Sequence, residues 1–210
     1  MRGLIDPNSK LFALLTKAVL LMELNLLVLL CCLPVVTVGA AMASMHTVLL
    51  KIYRDEEKKV AADFFQAMKS NLKNGTLLWL LFWGYLSMLT GMWMVGSYLF
   101  PAFKLPIALI LLPAVVSGIL CLNWALILQS RYVYTAGQCL KNAVLAWAKY
   151  PGSTFVYLVS IAVPVLLCFS MQLWPIVILI GITAPHMMST SLYSRLFDDI
   201  EGVPMTMPKL

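Results

Sequence analysis

Few side chains in this sequence could do chemistry, and most of those that could lie inside long apolar runs. Polar or ionisable groups within a membrane segment are costly unless paired, so each is a candidate for substrate binding, proton transfer or an interhelical hydrogen bond. For Glu23 we expect a position facing the interior of a helical bundle, hydrogen-bonded to another helix. Structural pairing and the handling of a substrate or proton both remain open for it. The candidate polar residues are Glu23, Asn25, His46, Asn123 and His186, together with Gln172.

The two histidines lie on different apolar runs, and neither has carboxylates or cysteines at the spacing of metal ligands. The motifs H-E-x-x-H and C-x-x-C are both missing from the sequence. We therefore expect packed or interface histidines, with no metal and no cofactor. Nucleophile-elbow and phosphate-loop motifs are missing as well, which predicts a protein that is not an enzyme.

Membrane helices must position these residues. Of the 210 residues, 61% are hydrophobic and 11% are charged, whereas soluble domains are about 25% charged. A helical crossing needs about 20 apolar residues, so we expect an all-α membrane protein with a single integral membrane domain over residues 1–210. The net charge of +6 fits anionic headgroups of the lipid bilayer better than nucleic acid. The apolar runs cover residues 18–50, 76–97, 105–128, 153–170 and 175–192.

The first run is too long for one crossing and contains Pro34, so five or six transmembrane helices are possible topologies. If the chain turns near residues 33–35, there are six crossings and both termini lie in the cytoplasm. Only Lys104 then faces outward, and the other fourteen of the fifteen Lys and Arg residues face inward. This asymmetry favours six crossings. The second crossing, residues 35–50, would rise only about 24 Å as a helix, so it could be buried among its neighbours or cross only part of the bilayer.

Two connections between the apolar runs predict short amphipathic helices on the cytoplasmic surface. In residues 60–74 we expect one apolar face against lipid or the bundle, a polar face that includes Asp63 and Lys69, and an end at Asn74-Gly75. The second lies within residues 131–152 and ends at Pro151-Gly152. The apolar face of the first consists of Phe64, Phe65, Met68 and Leu72.

Small residues recur at helical spacing on the second crossing. Gly39, Ala43 and Thr47 lie four positions apart, and such a face permits close approach of another helix. Packing within the molecule and docking of another membrane protein are both open interpretations.

Residues 20–75 carry a family resemblance. The segments concerned are Asn25, residues 33–41 (LPVVTVGAA), Lys51, residues 54–57 (RDEE), residues 63–67 (DFFQA) and Asn71. This part of the chain resembles the YesL-like family of bacterial integral membrane proteins, whose function is unknown. Members are often encoded beside sugar-uptake ABC transporters and carbohydrate-degrading enzymes. The resemblance implies the bacterial cytoplasmic membrane and a setting of glycan utilisation, and it carries no catalytic residues.

These observations lead to two expectations of function. The first is a non-enzymatic accessory or regulatory component of carbohydrate (oligosaccharide) uptake, whose partner would be sugar ABC transporter subunits or another membrane protein. The second is a small transporter or permease-like subunit. A continuous polar cavity reaching Glu23 would favour transport, whereas a dry bundle with an exposed small-residue or aromatic groove would favour partner binding.

Overall fold

The computed structural model describes residues 10–56, 59–132, 134–169 and 174–201, and every regular element within them is helical. Four segments are long and apolar enough to cross a membrane: Leu11–Cys32, Val35–Tyr53, Val60–Leu99 and Pro101–Arg131. The α-helices are α1 (Lys10–Cys32), α2 (Val38–Tyr53), α3 (Val60–Leu99), α4 (Lys104–Arg131), α5 (Ala136–Lys149), α6 (Pro151–Phe169), α7 (Trp174–Ile176) and α8 (Thr183–Glu201).

A tight turn divides the first apolar run into α1 and α2. Pro34 has an extended backbone, and residues Val35–Thr37 form a single 3-10 turn. The Thr37 hydroxyl donates to the carbonyl of Cys31 at 2.6 Å, which closes the turn. The reversal expected near residues 33–35 is therefore present, as the six-crossing topology requires.

Helix α2 is the central element of the bundle. It packs against α1, α3, α4 and α8, and 61% of its most apolar window is buried, compared with 17% for α1 and 6% for α4. Short length and central position go together, because a helix enclosed by longer neighbours does not have to match the bilayer thickness itself.

Helix α3 corrects one expectation from the sequence. No separate surface helix ends at Asn74-Gly75, because α3 continues without a break for 40 residues, about 60 Å at 1.5 Å per residue. Asn74 and Gly75, the residues expected to end that helix, make tertiary contacts instead. The Asn74 amide donates to the Tyr134 carbonyl at 2.9 Å, and Gly75 lets α3 approach Gly39 and Ala40 of α2.

The expected apolar face of residues 60–74 is divided in the structure. Phe64 is buried in the core, Met68 is half-buried, and Phe65 and Leu72 lie on the outer surface of the protein. Contact of these outer side chains with lipid remains a prediction. Asp63, expected on the polar face, is instead buried, because Lys51 of α2 pairs with its carboxylate at 2.6 Å.

Helix α5 forms within the second connection, as expected. It begins with a capping box between Thr135 and Gln138 and ends at Lys149, just before Pro151 begins α6. It packs along α4 and buries Cys139 and Ala143, while Leu140 and Val144 remain partly exposed.

The outer halves of α3 and α4, residues 80–116, form a hairpin that we call the hairpin arm. Leu89 is the one residue of this arm that is buried. Large apolar side chains cover the rest of it, including Tyr98, which is 85% exposed, and Ile110, which is 71% exposed. Exposed apolar surface of this extent is typical of contact with lipid or with another protein.

Candidate functional site

The two histidines, distant in sequence, meet in the centre of the bundle. The His46 ring on α2 and the His186 ring on α8 have centroids 5.3 Å apart. His46 is 0% exposed and His186 is 2% exposed. His186 Nδ1 lies 2.9 Å from the Ile182 carbonyl oxygen, so Nδ1 carries the proton and donates it. This leaves His186 Nε2 as a bare acceptor.

Three ring nitrogens of this pair have no hydrogen-bond partner among the described residues: His46 Nδ1, His46 Nε2 and His186 Nε2. A buried polar atom without a partner costs about 1–3 kcal/mol. Packed histidines, as expected from the sequence, normally satisfy at least one nitrogen. His186 follows this rule through Nδ1, whereas neither ring nitrogen of His46 has a partner among the described residues.

The hydroxyl groups close in sequence to these histidines bond to other groups and do not partner the imidazoles. Ser44 donates to the Ala40 carbonyl at 2.7 Å, and Ser189 donates to the His186 carbonyl at 2.7 Å. Thr190 also reaches that carbonyl, at 2.9 Å, and its hydroxyl lies 2.9 Å from that of Tyr193. The Tyr193 ring packs edge-on against His46 at 5.9 Å.

Asn25 fastens the chain segment that leads into α8. Its amide donates to the Ile178 carbonyl at 2.7 Å. Its oxygen accepts from the backbone N–H groups of Ile182 and Thr183, each at 3.1 Å. Since Val177–Gly181 is a π-helical turn, this one side chain satisfies backbone groups at the junction between the turn and α8. Asn25 therefore makes interhelical hydrogen bonds, one of the roles considered for polar residues within the apolar runs.

Glu23 lies elsewhere, and the interior position expected for it is wrong. It is exposed on the outer face of α1, while the next two residues, Leu24 and Asn25, are buried. The reason is helical geometry: successive residues are about 100° apart around a helix. Turning Asn25 toward Ile182 and Thr183 turns Glu23 away from the core.

The small-residue face of α2 is used inside the molecule. Gly39 lies against Gly75 of α3, Ala43 is fully buried, and the Thr47 hydroxyl donates to the Ser130 carbonyl of α4 at 3.0 Å. This face is covered by α3 and α4, which leaves it closed to an external partner.

A second polar network joins α3, α4 and α5. Cys139 donates to the Gln129 side-chain oxygen at 3.1 Å, and the Gln129 amide donates to Asn71 at 3.4 Å. Asn123, six residues before Gln129 on α4, is buried, and its side-chain oxygen has no partner among the residues that the structure describes. The sequence analysis missed Gln129 and Cys139 as partners, although a glutamine at the end of an apolar run was an available signal. Gln172 lies outside the described residues.

Two clefts on the arm side of the molecule are apolar. One, of about 300 Å³, lies between α3, α4 and α5 and includes Phe82, Tyr85, Gly118 and Trp147. The other, of about 370 Å³, lies within the hairpin arm between Trp93 and Leu109. Neither includes Glu23, so the polar pathway that would favour transport is not formed by these clefts. Within the described residues, no three His, Cys, Asp or Glu side chains form a metal-binding group.

Comparison with known proteins confirms the family resemblance over the N-terminal part of the chain. Residues 21–91 match the model of a family described as protein of unknown function, DUF624. The match includes the α1–α2 turn, Asn25, His46 and the Gly39–Gly75 contact. The chain matches no curated protein and no solved structure.

Proposed function

We propose that this protein is a non-enzymatic accessory or regulatory component of the bacterial cytoplasmic membrane that binds another membrane protein. The supporting observation is the hairpin arm, where Leu89 alone is buried and bulky side chains such as Tyr98 and Ile110 face outward. A bundle held together by α2 does not need this surface for its own packing. The arm is therefore the region best suited to a partner within the bilayer.

The carbohydrate setting of this proposal comes from the family resemblance. A sugar ABC transporter subunit is accordingly the partner we propose, with oligosaccharide uptake as the process assisted. From the Lys and Arg asymmetry we propose that both termini lie in the cytoplasm, which requires six crossings; with five crossings the N-terminus would lie outside. The alternative, a small transporter, loses its main support because Glu23 faces outward.

Site-specific photocrosslinking tests the proposal. A photoreactive residue at Tyr98 or Ile110, in the native host growing on an oligosaccharide, should give a cross-link to a transporter subunit. Leu14 is a matched control, since it is 67% exposed and apolar but lies on α1. Equal cross-linking from all three positions, or adducts with lipid alone, would contradict a partner-binding arm.

Reconstitution separates the two functions. In liposomes that contain this protein alone, the accessory role predicts no oligosaccharide uptake. In cells that lack the protein, it predicts reduced uptake with the transporter still present. Uptake by the isolated protein would instead establish the transporter alternative.

A further inference from the structure

We propose that the cleft between α3, α4 and α5 holds an acyl chain of one anionic phospholipid, whose headgroup binds Lys73 and Lys141. The cleft lies at the base of the hairpin arm, and its volume of about 300 Å³ is within the range of ligand-binding pockets. The site is separate from the outward face of the arm around Tyr98 and Ile110, so the failure of either proposal leaves the other standing.

The lining of the cleft favours a hydrocarbon chain over a polar ligand. Its two hydroxyl groups are both engaged with one backbone oxygen, since Tyr85 donates to the Ala114 carbonyl at 2.8 Å and Ser117 donates to it at 2.9 Å. Neither hydroxyl proton is left for a sugar or another polar molecule. Leucine, valine and aromatic side chains form most of the remaining wall. An acyl chain needs no hydrogen bonds and gains dispersion contacts along such a wall.

Helix α5 carries a charge beside the cleft. Leu140, Val144 and Trp147 of this helix line the cleft, and Lys141 is exposed. Successive residues are about 100° apart around a helix, so Lys141 lies only about 60° from Val144, whereas Lys149 lies about 140° from it. Lys141 is therefore on the flank of α5 that borders the cleft, and Lys149 is on the other flank.

Helix α3 places a second cation at the same end of the cleft. Lys73 is exposed, and the amide of the next residue, Asn74, donates to the Tyr134 carbonyl just before α5 begins. Leu81, which lines the cleft, is eight residues further on, about 12 Å along the helix. The headgroup layer of a bilayer is about 5–8 Å thick on each side, and lysine extends its ammonium group toward such a layer. Both lysines are thus placed for the headgroup of a lipid whose chain enters the cleft.

The sequence around the cleft contains no acid that would neutralise these lysines. Asp and Glu are both absent between Phe64 and Phe197. Asp63, just before this stretch, pairs with Lys51 at 2.6 Å. The complementary ligand is therefore apolar at one end and anionic at the other, which describes an anionic phospholipid. Such lipids belong to the cytoplasmic leaflet, where α5 lies under the topology proposed above.

Native mass spectrometry of the delipidated full chain in detergent tests the headgroup, with phosphatidylglycerol and phosphatidylcholine of identical acyl chains as probes. We expect one phosphatidylglycerol per chain, bound about 30-fold more tightly than phosphatidylcholine, because each basic residue near a lipid headgroup contributes about fivefold. Lys73→Ala and Lys141→Ala should each weaken phosphatidylglycerol binding about fivefold. Lys149→Ala is the matched control and should leave it unchanged. Equal binding of the two lipids, or an equal loss for Lys149→Ala, would overturn the proposal.

A variant inside the cleft tests the position of the chain. Val144→Trp fills the cleft from α5 and should weaken phosphatidylglycerol binding more than either lysine variant does. Leu145→Trp is the matched control, because Leu145 is 60% exposed and Val144 is 48% exposed, yet only Val144 lines the cleft. Melting temperatures without added lipid show that both variants are folded. Unchanged binding by a folded Val144→Trp variant would contradict the proposal.

A photoreactive lipid provides a measurement that needs no variant. One equivalent of phosphatidylglycerol with a diazirine in its acyl chain is bound to the parent chain and irradiated, and the cross-linked peptides are identified. We expect adducts on the cleft-lining segments of α3, α4 and α5, and loss of these adducts when unlabelled phosphatidylglycerol is added in excess. Adducts spread evenly over α1 and the outer end of the arm would show that the lipid has no site in the cleft.

Discussion

Gly39 of α2 lies so close to Gly75 of α3 that neither position has room for a side chain. A Cβ on Gly75 would be 2.7 Å from the Cα of Ala40, and a Cβ on Gly39 would be 2.7 Å from the Cβ of Trp79 as well as overlapping the Gly75 carbonyl oxygen. Backbone atoms cannot give way as a flexible side chain can. The two glycines therefore set the distance between the central helix and its longest neighbour.

Gly75→Ala should lower the stability of the bundle by about 1–3 kcal/mol, the usual cost of overpacking a close contact. Gly84→Ala is the matched control on the same helix, because a Cβ there meets nothing within 4 Å. The control should be neutral or slightly stabilising, since alanine favours a helix by about 1 kcal/mol over glycine. Thermal unfolding in detergent, followed by tryptophan fluorescence, measures both. Equal melting temperatures for the two variants would disprove the close contact.

The pair of Lys51 and Asp63 predicts an asymmetric mutational response. The Asp63 side chain is 10% exposed and that of Lys51 is 35% exposed, so Lys51→Met should lower the free energy of unfolding by about 1–2 kcal/mol, less than for a fully buried pair because water screens the ammonium group. The double variant Lys51→Met with Asp63→Leu removes both charges and should recover most of that loss. Melting temperatures of the two single variants and the double variant form the test. Additive losses in the double variant would show that the pair is not coupled.

Cys139 should react slowly with thiol reagents. It is fully buried, and burial raises the pKa of its thiol to about 12 from 9.0. The thiolate is the reactive form, so labelling by a maleimide should remain slow from pH 7 to 9. The control is Gly137→Cys, an exposed position on the same helix, with the other native cysteines replaced. Comparable labelling rates at the two positions would contradict the burial of Cys139.

The same pKa shift predicts the direction of a pH effect. Above pH 9 the unfolded chain loses the Cys139 proton while the folded chain keeps it, so the free energy of unfolding should fall as the pH rises from 9 toward 12. Cys139→Ser should remove this part of the pH dependence. Chemical unfolding of both proteins at pH 8 and pH 10 gives the comparison, and identical slopes for the two would refute the assignment to Cys139.

Glu23 and Asn25 form a natural pair for mutation, since they lie on opposite sides of one helix. Asn25→Leu removes three hydrogen bonds to the α8 junction and should destabilise the protein by about 2–4 kcal/mol, because buried backbone groups lose their partner. Glu23→Leu should change stability little. Thermal unfolding of both variants measures the difference. A larger loss of stability for Glu23→Leu than for Asn25→Leu would show that Glu23, and not Asn25, faces the core.

Cysteine labelling tests the proposed topology. Asn8→Cys, in a background without native cysteines, should be protected from an impermeant reagent added to intact cells. Ala102→Cys, in the turn between α3 and α4, should be labelled under the same conditions, because Lys104 is the single basic residue placed outside. Labelling at position 8 from outside would contradict the six-crossing topology and favour five crossings.

The sequence predicts the helical class, the reversal before α2 and the position of α5, because hydropathy, Pro34 and helix breakers act locally. It does not predict the fate of Asn74 and Gly75, whose turn propensity is outweighed by contacts with Tyr134 and α2. The interior position of Asn25 and the outward position of Glu23 depend on how α1 rotates against α8, which is a tertiary property. The meeting of His46 and His186 is likewise invisible until the helices are assembled.

The hydrogen bonds of Asn25 have a consequence for the order of events during biosynthesis. Its amide enters the membrane with the first helix, yet its acceptor at Ile178 lies 153 residues further along the chain. At about 5–20 residues per second, the ribosome needs roughly 8–30 s to produce that partner. Throughout this interval Asn25 cannot make its hydrogen bonds to Ile178, Ile182 and Thr183. The Asn25 side chain therefore reaches its final hydrogen bonds only after the segment that leads into α8 has been synthesised. A product truncated before Ile178 would never form them.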